Sequence, residues 1–180
     1  RDHIPFSFLF SGPPGTGKTT TARKMGKVYY DMGFLSTAEV IDISATDLVA
    51  GFVGQTGYKT RQQLEKGLGR GLFIDEAYRL AEGGFAQEAM DEMVDCLTKP
   101  AFAGKLVVIL AGYDADISRL MSINPGLTSR FPDNIKFPEL DPPTSVELFK
   151  KVLRKSKDLD TKILDDPSTA LISALLTRFK

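Results

Sequence analysis

The sequence predicts an α/β fold in which a parallel five-stranded sheet is flanked by helices. Short apolar runs alternate with helix-like segments as far as Asp141, a pattern typical of parallel strands joined by helical crossovers. The runs at 71–75 and 105–111 are almost continuously apolar, as expected of strands buried on both faces. A loop rich in glycine and proline separates the first strand from the first helix, so its backbone rather than its side chains is expected to matter.

The expected strands are short and the expected helices lie between them. The strands cover residues 6–10, 39–43, 71–75, 105–111 and 134–137, and the helices cover 18–32, 57–68, 86–98 and 114–122. Gly33 is expected to end the first helix, and Asp114 is a candidate cap for the fourth. The element order therefore predicts an α/β core over residues 1–141.

The pattern after Pro142 is helical only. Thr144 and Glu147 have the spacing of a capping box, which predicts a helix to about residue 157, and Asp166 opens a second helical pattern. Residues 142–180 are expected to form a helical appendage to the α/β core. The first strand lies close to Arg1 and the sequence stops within a helical pattern, so we expect the chain to be a piece of a longer protein.

Charge and cysteine usage exclude some classes of partner. Basic and acidic residues are balanced at 23 each, so no net field favours nucleic acid or an anionic membrane. Cys96 is the only cysteine, which excludes an internal disulfide and is typical of a reducing compartment. The longest apolar run, 106–111, is too short to span a bilayer. We expect an intracellular, soluble protein of the cytoplasm or nucleus.

The loop after the first strand matches G-x-x-x-x-G-K-[ST], a pattern that cradles phosphate groups. Its glycines let successive backbone N–H groups point inward, and the next helix adds its positive dipole end. Lys18 is expected to contact the β- and γ-phosphates, and the Thr19 hydroxyl is expected to ligate Mg²⁺. The alternative is a glycine-rich turn that matches by chance. The expected ATP-binding residues are Gly12, Pro13, Pro14, Gly15, Thr16, Gly17, Lys18, Thr19 and Thr20.

Two adjacent carboxylates end the third strand. A buried carboxylate needs a compensating partner, and a Mg²⁺ ion held jointly with Thr19 would provide one for Asp75. Glu76 is then expected to orient and deprotonate the attacking water. The alternative is that both residues only cap the next segment.

The motifs together resemble the AAA+ ATPases, and within them the CbbX/CfxQ branch, also called the stage V sporulation protein K-like group. The resemblance covers nearly the whole chain through DLVAGFVGQTGYKT (47–60), GLFIDEAYRL (71–80), VVILAGYDADISRL (107–120) and NPGLTSRF (124–131). It implies a P-loop NTPase (nucleotide-binding) core over residues 1–141 and a truncated C-terminal helical lid over residues 142–180. It also implies ATP and Mg²⁺ as cofactors and a ring of subunits, usually a hexamer.

The resemblance also assigns a residue that acts between subunits. Arg130, in Ser129-Arg130-Phe131, matches the arginine finger that reaches the neighbour's γ-phosphate. Such an arginine stabilises negative charge in the transition state and is worth roughly 10³–10⁵ in rate in GTPases. The alternative is a surface arginine at a helix end.

Residues 51–54 match the aromatic–hydrophobic–glycine pore loop of relatives that thread polypeptides. An exposed Phe52, followed by Val53, could grip an extended chain without reading its sequence. The alternative is that both residues pack in the core as an apolar pair.

Two sensor positions stay unassigned. Where many AAA+ proteins end the fourth strand with a sensor asparagine, this chain has Ala-Gly-Tyr, with Tyr113 last, as the branch does. The lid's sensor arginine is expected beyond Lys180.

The resemblance implies an ATP hydrolase that remodels or threads a protein substrate, as the Rubisco activases of this branch do. The alternative is an ATP-dependent switch or scaffold in which hydrolysis is incidental. The presence of both Glu76 and Arg130 counts against the alternative, because a switch could dispense with either. A DNA-acting role is weaker, given the balanced charge.

Overall fold

The computed structural model describes residues 4–52 and 54–154. Val53 of the expected pore loop and the helix expected from Asp166 lie outside the described residues. The described chain divides into two compact units, the first ending at Pro138 and the second beginning at Glu139.

The first unit contains a parallel five-stranded sheet with five α-helices and two 3₁₀ helices. The strands are β1 (Ser7–Ser11), β2 (Val40–Ser44), β3 (Gly71–Asp75), β4 (Val107–Gly112) and β5 (Asp133–Lys136). The helices are α1 (Lys18–Asp31), α2 (Thr56–Lys66), α3 (Gly84–Thr98), α4 (Asp114–Ile123) and α5 (Pro125–Arg130). The 3₁₀ helices cover Ala45–Asp47 and Ala77–Ala81. The predicted fold class is confirmed.

The strand order is β2-β3-β4-β1-β5, with every pairing parallel. β1 therefore lies between β4 and β5. The chain passes from β1 to β2 on the β4 side of β1, and it later crosses from β4 to β5 on the other side. In sheets of this kind a crevice opens at the carboxyl ends of the strands where the order reverses. The glycine-rich loop follows β1 at this position.

Two apolar clusters cover the two faces of the sheet, because successive side chains of a strand point to opposite faces. One cluster joins the sheet to α3 and includes Leu9, Leu72, Ile74, Val108, Leu110, Met90 and Met93. The other joins it to α1 and includes Phe8, Phe10, Phe73, Ile109, Ala22 and Tyr29. The central strands are thus buried on both faces, as their continuous apolar runs predict.

The second unit contains α6 (Pro142–Leu153). The expected capping box of Thr144 and Glu147 is wrong, because the helix begins two residues earlier than Thr144. The Asp141 side chain instead accepts a hydrogen bond from the backbone N–H of Thr144 at 2.7 Å.

The expected cap of α4 is also wrong. Tyr113 occupies the position that precedes this helix and makes no side-chain cap, while Asp114 stands inside the first turn. Its carboxylate there still interacts favourably with the positive end of the helix dipole.

Candidate nucleotide-binding site

The glycine-rich loop begins at Gly12, a position that only glycine can occupy. Gly12 has a φ of +146° and its N–H donates to the carbonyl oxygen of Gly112 at 3.0 Å, at the end of β4. A Cβ atom on Gly12 would overlap the carbonyl oxygen of Phe137, which follows β5. The start of the loop is therefore packed between the two strands that flank β1.

The N-terminus of α1 leaves its first N–H groups without side-chain acceptors. Gly17 precedes the helix with a φ of +96°, makes no side-chain cap, and no acidic residue stands in the first turn of α1. Uncapped N–H groups and the positive end of the helix dipole together favour an anion at this position.

Lys18 folds back over the loop that precedes it. Its Nζ donates to the carbonyl oxygens of Gly12 and Pro13 at 2.8 and 2.7 Å. Thr16 Oγ1 also donates to the carbonyl oxygen of Pro13, at 2.8 Å. Burial lowers the pKa of Lys18, and the negative charges of Asp75 and Asp114 partly oppose that shift. A phosphate group beside Lys18 would replace the solvation that the ammonium loses on burial.

Asp75 ends β3 and Glu76 follows it, at the same edge of the sheet as the loop. Asp75 Oδ1 accepts the N–H of Glu76 at 2.8 Å. Glu76 has a φ of +53°, and among the described residues it is the only one other than glycine with a positive φ. Such a backbone is costly for a side-chain-bearing residue and is found preferentially at functional sites.

Three residues donate hydrogen bonds to the Glu76 carboxylate. Arg79 Nε contacts Oε2 at 2.9 Å and Arg79 Nη2 contacts Oε1 at 3.4 Å. The hydroxyl of Tyr78 donates to Oε1 at 3.3 Å and that of Ser44 donates to Oε2 at 3.4 Å. The hydrogen bond from Arg79 is the main reason that the pKa of Glu76 is lowered, and desolvation acts in the opposite direction.

A cavity of about 480 Å³ joins these features. It is lined by Gly12, Pro14, Gly15, Gly17, Lys18, Thr19, Thr20, Asp75, Glu76, Tyr78, Gly112 and Tyr113. Most of the residues expected to bind ATP thus lie around one space, together with both acidic residues. Pro13 and Thr16 are not in its lining; they contribute to the hydrogen bonds within the loop instead.

The residues of the cavity fit a nucleotide with its Mg²⁺ ion. The uncapped helix N-terminus and Lys18 suit phosphate oxygens, and the Thr19 hydroxyl with the Asp75 carboxylate supplies the oxygen ligands that Mg²⁺ prefers. The described residues contain no group of three or more His, Cys, Asp or Glu side chains able to hold a metal ion by themselves.

Arg130 and Phe52 lie outside that cavity. Arg130 is the last residue of α5, and its Nη1 donates to Ser129 Oγ at 2.7 Å. Phe52 is 72% exposed. The alternative in which Phe52 packs in the core is therefore wrong.

Three contacts to Glu76 were not predicted from the sequence. Arg79 stands three residues after Glu76, a spacing that allows an ion pair on a helical turn. Ser44 is not recognisable in this way, because its proximity depends on the register of β2 against β3, which pairs it with Asp75. Tyr78 lines the cavity through the same 3₁₀ turn that positions Arg79.

Comparison with known proteins identifies the family. The family described as "ATPase family associated with various cellular activities (AAA)" matches residues 8–139. The chain belongs to the AAA family. The match covers all five strands except Ser7, the first residue of β1, and it covers the whole of the cavity lining. The loop and the acidic pair thus lie in the part of the chain that matches this family.

Relatives in the expected branch are also found. The chain is 43% identical to stage V sporulation protein K of Bacillus subtilis, over 81% of this chain and 45% of that protein. It is 36% identical to the chloroplastic ribulose bisphosphate carboxylase/oxygenase activase of Cyanidioschyzon merolae, over 82% and 51%. It is 36% identical to the ESX-1 secretion system protein EccA1 of Mycolicibacterium smegmatis, over 94% and 30%. The chain therefore spans about half or less of the length of these relatives.

A solved structure has the same fold. The crystal structure of the FIGL-1 AAA domain in complex with ADP aligns with a TM-score of 0.59 at 22% identity, over 89% of this chain and 53% of that one. At this identity the likeness concerns the fold alone. In the part of the AAA chain that the structure describes, no helix is both long and apolar enough to cross a membrane.

Proposed function

We propose that this AAA protein hydrolyses Mg-ATP and uses the energy to remodel or thread a protein substrate. The observation that carries the proposal is the cavity lined both by the glycine-rich loop and by the adjacent residues Asp75 and Glu76. Hydrolysis of a phosphoanhydride needs a positioned phosphate chain and a positioned water, and catalysis in such sites is mostly positioning and electrostatic stabilisation.

Each residue has a distinct proposed role. The loop N–H groups and Lys18 bind the phosphates, and Glu76 accepts a proton from the attacking water while orienting it. Thr19 and Asp75 would hold the Mg²⁺ ion, which neutralises phosphate charge when bound. Lys18 Nζ has three N–H donors, and two of them contact the carbonyl oxygens of Gly12 and Pro13. At least one of these two contacts must therefore be exchanged before Nζ can donate to both the β- and the γ-phosphate.

Arg130 is proposed to act on the nucleotide of a neighbouring subunit. Its place at the end of α5, outside the cavity of its own chain, supports a role across a subunit boundary. A ring assembly, with six subunits as the usual number in this family, would bring each Arg130 to the next cavity. The protein substrate is proposed to be gripped by Phe52 and Val53 on the axial side of that ring, and the high exposure of Phe52 supports this role.

The proposal is tested by ATP hydrolysis per subunit over a wide range of protein concentration. Specific activity is expected to rise with concentration, because the site is shared between subunits. Glu76→Gln and Arg130→Ala should each lose about 100-fold or more in kcat while retaining ATP binding. Lys18→Ala should lose ATP binding itself, whereas Lys24→Ala, an exposed lysine of the same helix, should not.

Two results would contradict the proposal. Nucleotide binding without hydrolysis at any concentration would favour a switch or scaffold. Hydrolysis that depends neither on protein concentration nor on Arg130 would contradict a site shared between subunits, but it would leave the proposed ATPase activity standing.

A further inference from the structure

A groove borders the base of the loop that carries Phe52. It has a volume of about 530 Å³. Its lining consists of Ala50, Gly54, Gln55, Tyr58, Lys59 and Gln62. Ala50 and Gly54 stand on either side of residues 51–53, and the other lining residues belong to the start of α2 and the position before it. This α2 groove therefore lies between the loop and the helix that follows it.

The α2 groove has an exposed aromatic ring in its wall. Tyr58 is 68% exposed, although it stands only six residues after Phe52, which is exposed to a similar degree. Gln62 Nε2 donates to the Tyr58 hydroxyl at 2.9 Å, which holds the ring on the surface of the helix. A tyrosine ring offers a large contact area and loses little conformational entropy when a partner covers it. Tyr58 is thus placed to contact a ligand rather than the core.

Two buried threonines hold the walls of the α2 groove together. Thr56 Oγ1 accepts the N–H of Ala50 at 3.1 Å, and Thr60 Oγ1 donates to the carbonyl oxygen of Leu48 at 3.0 Å. Both threonine side chains are fully buried. The segment before Phe52 is therefore fixed to α2, and a ligand meets walls that are already ordered. Such preorganisation reduces the entropy that is lost on binding.

The α2 groove offers little charge to a ligand. Residues 48–58 include no charged side chain. Lys59 is the one charged residue among the described residues of the lining, and its Nζ donates to the carbonyl oxygens of Val49 and Thr46 at 2.7 and 3.3 Å. Arg61, the next basic residue of α2, pairs with a glutamate of α3 at 3.4 Å. The positive charges of α2 are therefore engaged within the chain and do not select an acidic ligand.

The polar groups of the α2 groove suit a polypeptide backbone. Gln55 and Gln62 are exposed, and a side-chain amide both donates and accepts hydrogen bonds. An extended chain carries a backbone donor and a backbone acceptor on nearly every residue. Gln55, Tyr58 and Gln62 follow one another at spacings of three and four residues, which places them on one face of the helix. This face presents an aromatic ring between two amides.

We propose that the α2 groove is a second binding site for the polypeptide that Phe52 grips, and that it takes an extended segment without net charge. Tyr58 packs against a small or apolar side chain of that segment, while Gln55 and Gln62 hydrogen-bond to its backbone. This inference rests on the proposed threading of a protein substrate.

Tryptophan fluorescence tests occupation of the groove directly, because the sequence contains no tryptophan and Tyr58→Trp supplies the only one. The probes are unstructured peptides of equal length. One is built from glycine, serine, alanine and valine, and two others carry glutamate or lysine at regular intervals. All measurements include the magnesium complex of adenylyl imidodiphosphate, an ATP analogue that is not hydrolysed.

We expect the uncharged peptide to shift the emission of Tyr58→Trp to shorter wavelength, because the bound segment removes water from the ring. Tyr30→Trp is the matched control. Tyr30 is also an exposed tyrosine, at 47%, but it stands on α1 and does not line the groove. Its replacement should report no change.

Fluorescence anisotropy of the labelled uncharged peptide provides the second measurement. Tyr58→Ala should weaken its binding by about threefold to tenfold, since an aromatic contact is lost. Tyr58→Phe keeps the ring and should restore the affinity to within about twofold, whereas Tyr30→Ala should leave it unchanged. The affinity should also change by less than about twofold when salt is raised from about 0.05 to about 0.3 M, because no free charge contributes.

Three results would overturn the inference. Unchanged emission of Tyr58→Trp on a peptide that anisotropy shows to be bound, or normal binding by Tyr58→Ala, would leave the grip to Phe52 alone. Tighter, salt-sensitive binding of the glutamate-containing peptide would assign the site to acidic substrates. Emission of Tyr58→Trp that changes with protein concentration before peptide is added would assign the groove to a contact between subunits.

The outcomes also separate this inference from the proposed function. Binding that is lost in Tyr58→Ala but normal in Phe52→Ala would contradict the proposed role of Phe52 and leave the groove standing. If no peptide binds while ATP is hydrolysed, the groove and the threading both fail, and the ATPase activity remains.

Discussion

At the scale of single residues, the glycine-rich loop depends most on Gly12. Its positive φ excludes other residues on conformational grounds, and the carbonyl oxygen of Phe137 occupies the space that a side chain would need. The other loop glycines are less constrained, since a Cβ on Gly15 or Gly17 would meet no atom within 4 Å. Gly12 is therefore the point at which the loop is attached to the sheet.

Gly12→Ala should lower the free energy of unfolding by about 2–4 kcal/mol, because backbone strain and a steric overlap act together. Gly33→Ala is the matched control: Gly33 also has a positive φ, of +78°, but its Cβ would meet no atom within 4 Å. The free energy of unfolding of Gly33→Ala should fall by only about 1–2 kcal/mol. Urea unfolding of both variants measures the difference, and equal losses would show that the overlap with Phe137 does not matter.

Cys96 is a second residue whose surroundings predict its chemistry. Its side chain is fully buried on α3. Burial, followed by the nearby Glu92 carboxylate, raises the pKa of the thiol to about 11. The thiolate is the reactive form, so the native thiol should resist modification.

At pH 8 we expect Cys96 to react with a disulfide reagent at least about 100-fold more slowly in the native protein than in denaturant. Because the folded pKa is the higher one, its contribution to stability is complete below pH 9, the ordinary pKa of a thiol, and is lost as the pH rises towards 11. Absorbance of the released reagent measures the rate. Equal rates in the native and the denatured protein would mean that α3 opens readily and exposes Cys96 to the reagent.

At the scale of elements, α5 is held by Asn124. The Asn124 Oδ1 accepts the N–H groups of Gly126 and Leu127 at 2.9 and 3.4 Å, and its Nδ2 donates to Asp91 on α3 at 3.0 Å. Pro125 occupies the first turn, where its missing N–H costs nothing. Asn124 thus sets both the start of the helix and its attachment to α3, and Arg130 stands at the other end.

Asn124→Ala should destabilise the protein by about 2 kcal/mol, since it removes a helix cap and a partly buried hydrogen bond. If Arg130 acts as proposed, kcat should also fall while ATP binding persists. Ser122→Ala, at an exposed site nearby, should have no measurable effect on either property. A fall in stability without a fall in kcat would indicate that α5 does not position Arg130.

The elements also show what the sequence could predict and what it could not. The third strand was predicted over residues 71–75 and lies there, because a continuous apolar run bounded by turns leaves few alternatives. The two 3₁₀ helices and α5 were missed, since three to six residues are too few to display a helical period. The missed 3₁₀ turn after Glu76 is the one that places Tyr78 and Arg79 on its carboxylate.

The residues of the candidate site also divide into those that the sequence predicts and those that it does not. The loop and the acidic pair were predicted because their chemistry requires fixed residue types at fixed spacings. The contact from Ser44 could not be predicted, because it depends on which strands are neighbours and in what register. Phe52 needed the structure to exclude core packing, since composition alone favours burial of an aromatic residue.

At the scale of the whole molecule, the proposed division of the active site between subunits makes a quantitative prediction. A mixture of Arg130→Ala and Glu76→Gln chains contains intact sites wherever the first supplies Glu76 and the second supplies Arg130. With equal amounts and random assembly, about one boundary in four is complete in a closed ring. Neither variant has a complete boundary alone.

The mixture should therefore recover up to about a quarter of the unmodified activity. ATP hydrolysis at a concentration where the unmodified chain is fully active measures it. A mixture of Lys18→Ala with Glu76→Gln is the control and should stay inactive, because both changes damage the same half of the site. Recovery in the control, or none in the test mixture, would contradict a shared site.

The attachment of Gly12 to two strands has a consequence for the order of events during synthesis. The loop precedes both strands in the sequence, yet Gly12 donates to Gly112 and the N–H of Phe137 donates to the carbonyl oxygen of Ser11 at 2.7 Å. The glycine-rich loop of a nascent chain is therefore synthesised roughly a hundred residues before β4 and β5, the two strands that hold it. Competence to bind nucleotide should arise abruptly and late, when Phe137 has left the ribosome, and no shorter intermediate should sequester ATP.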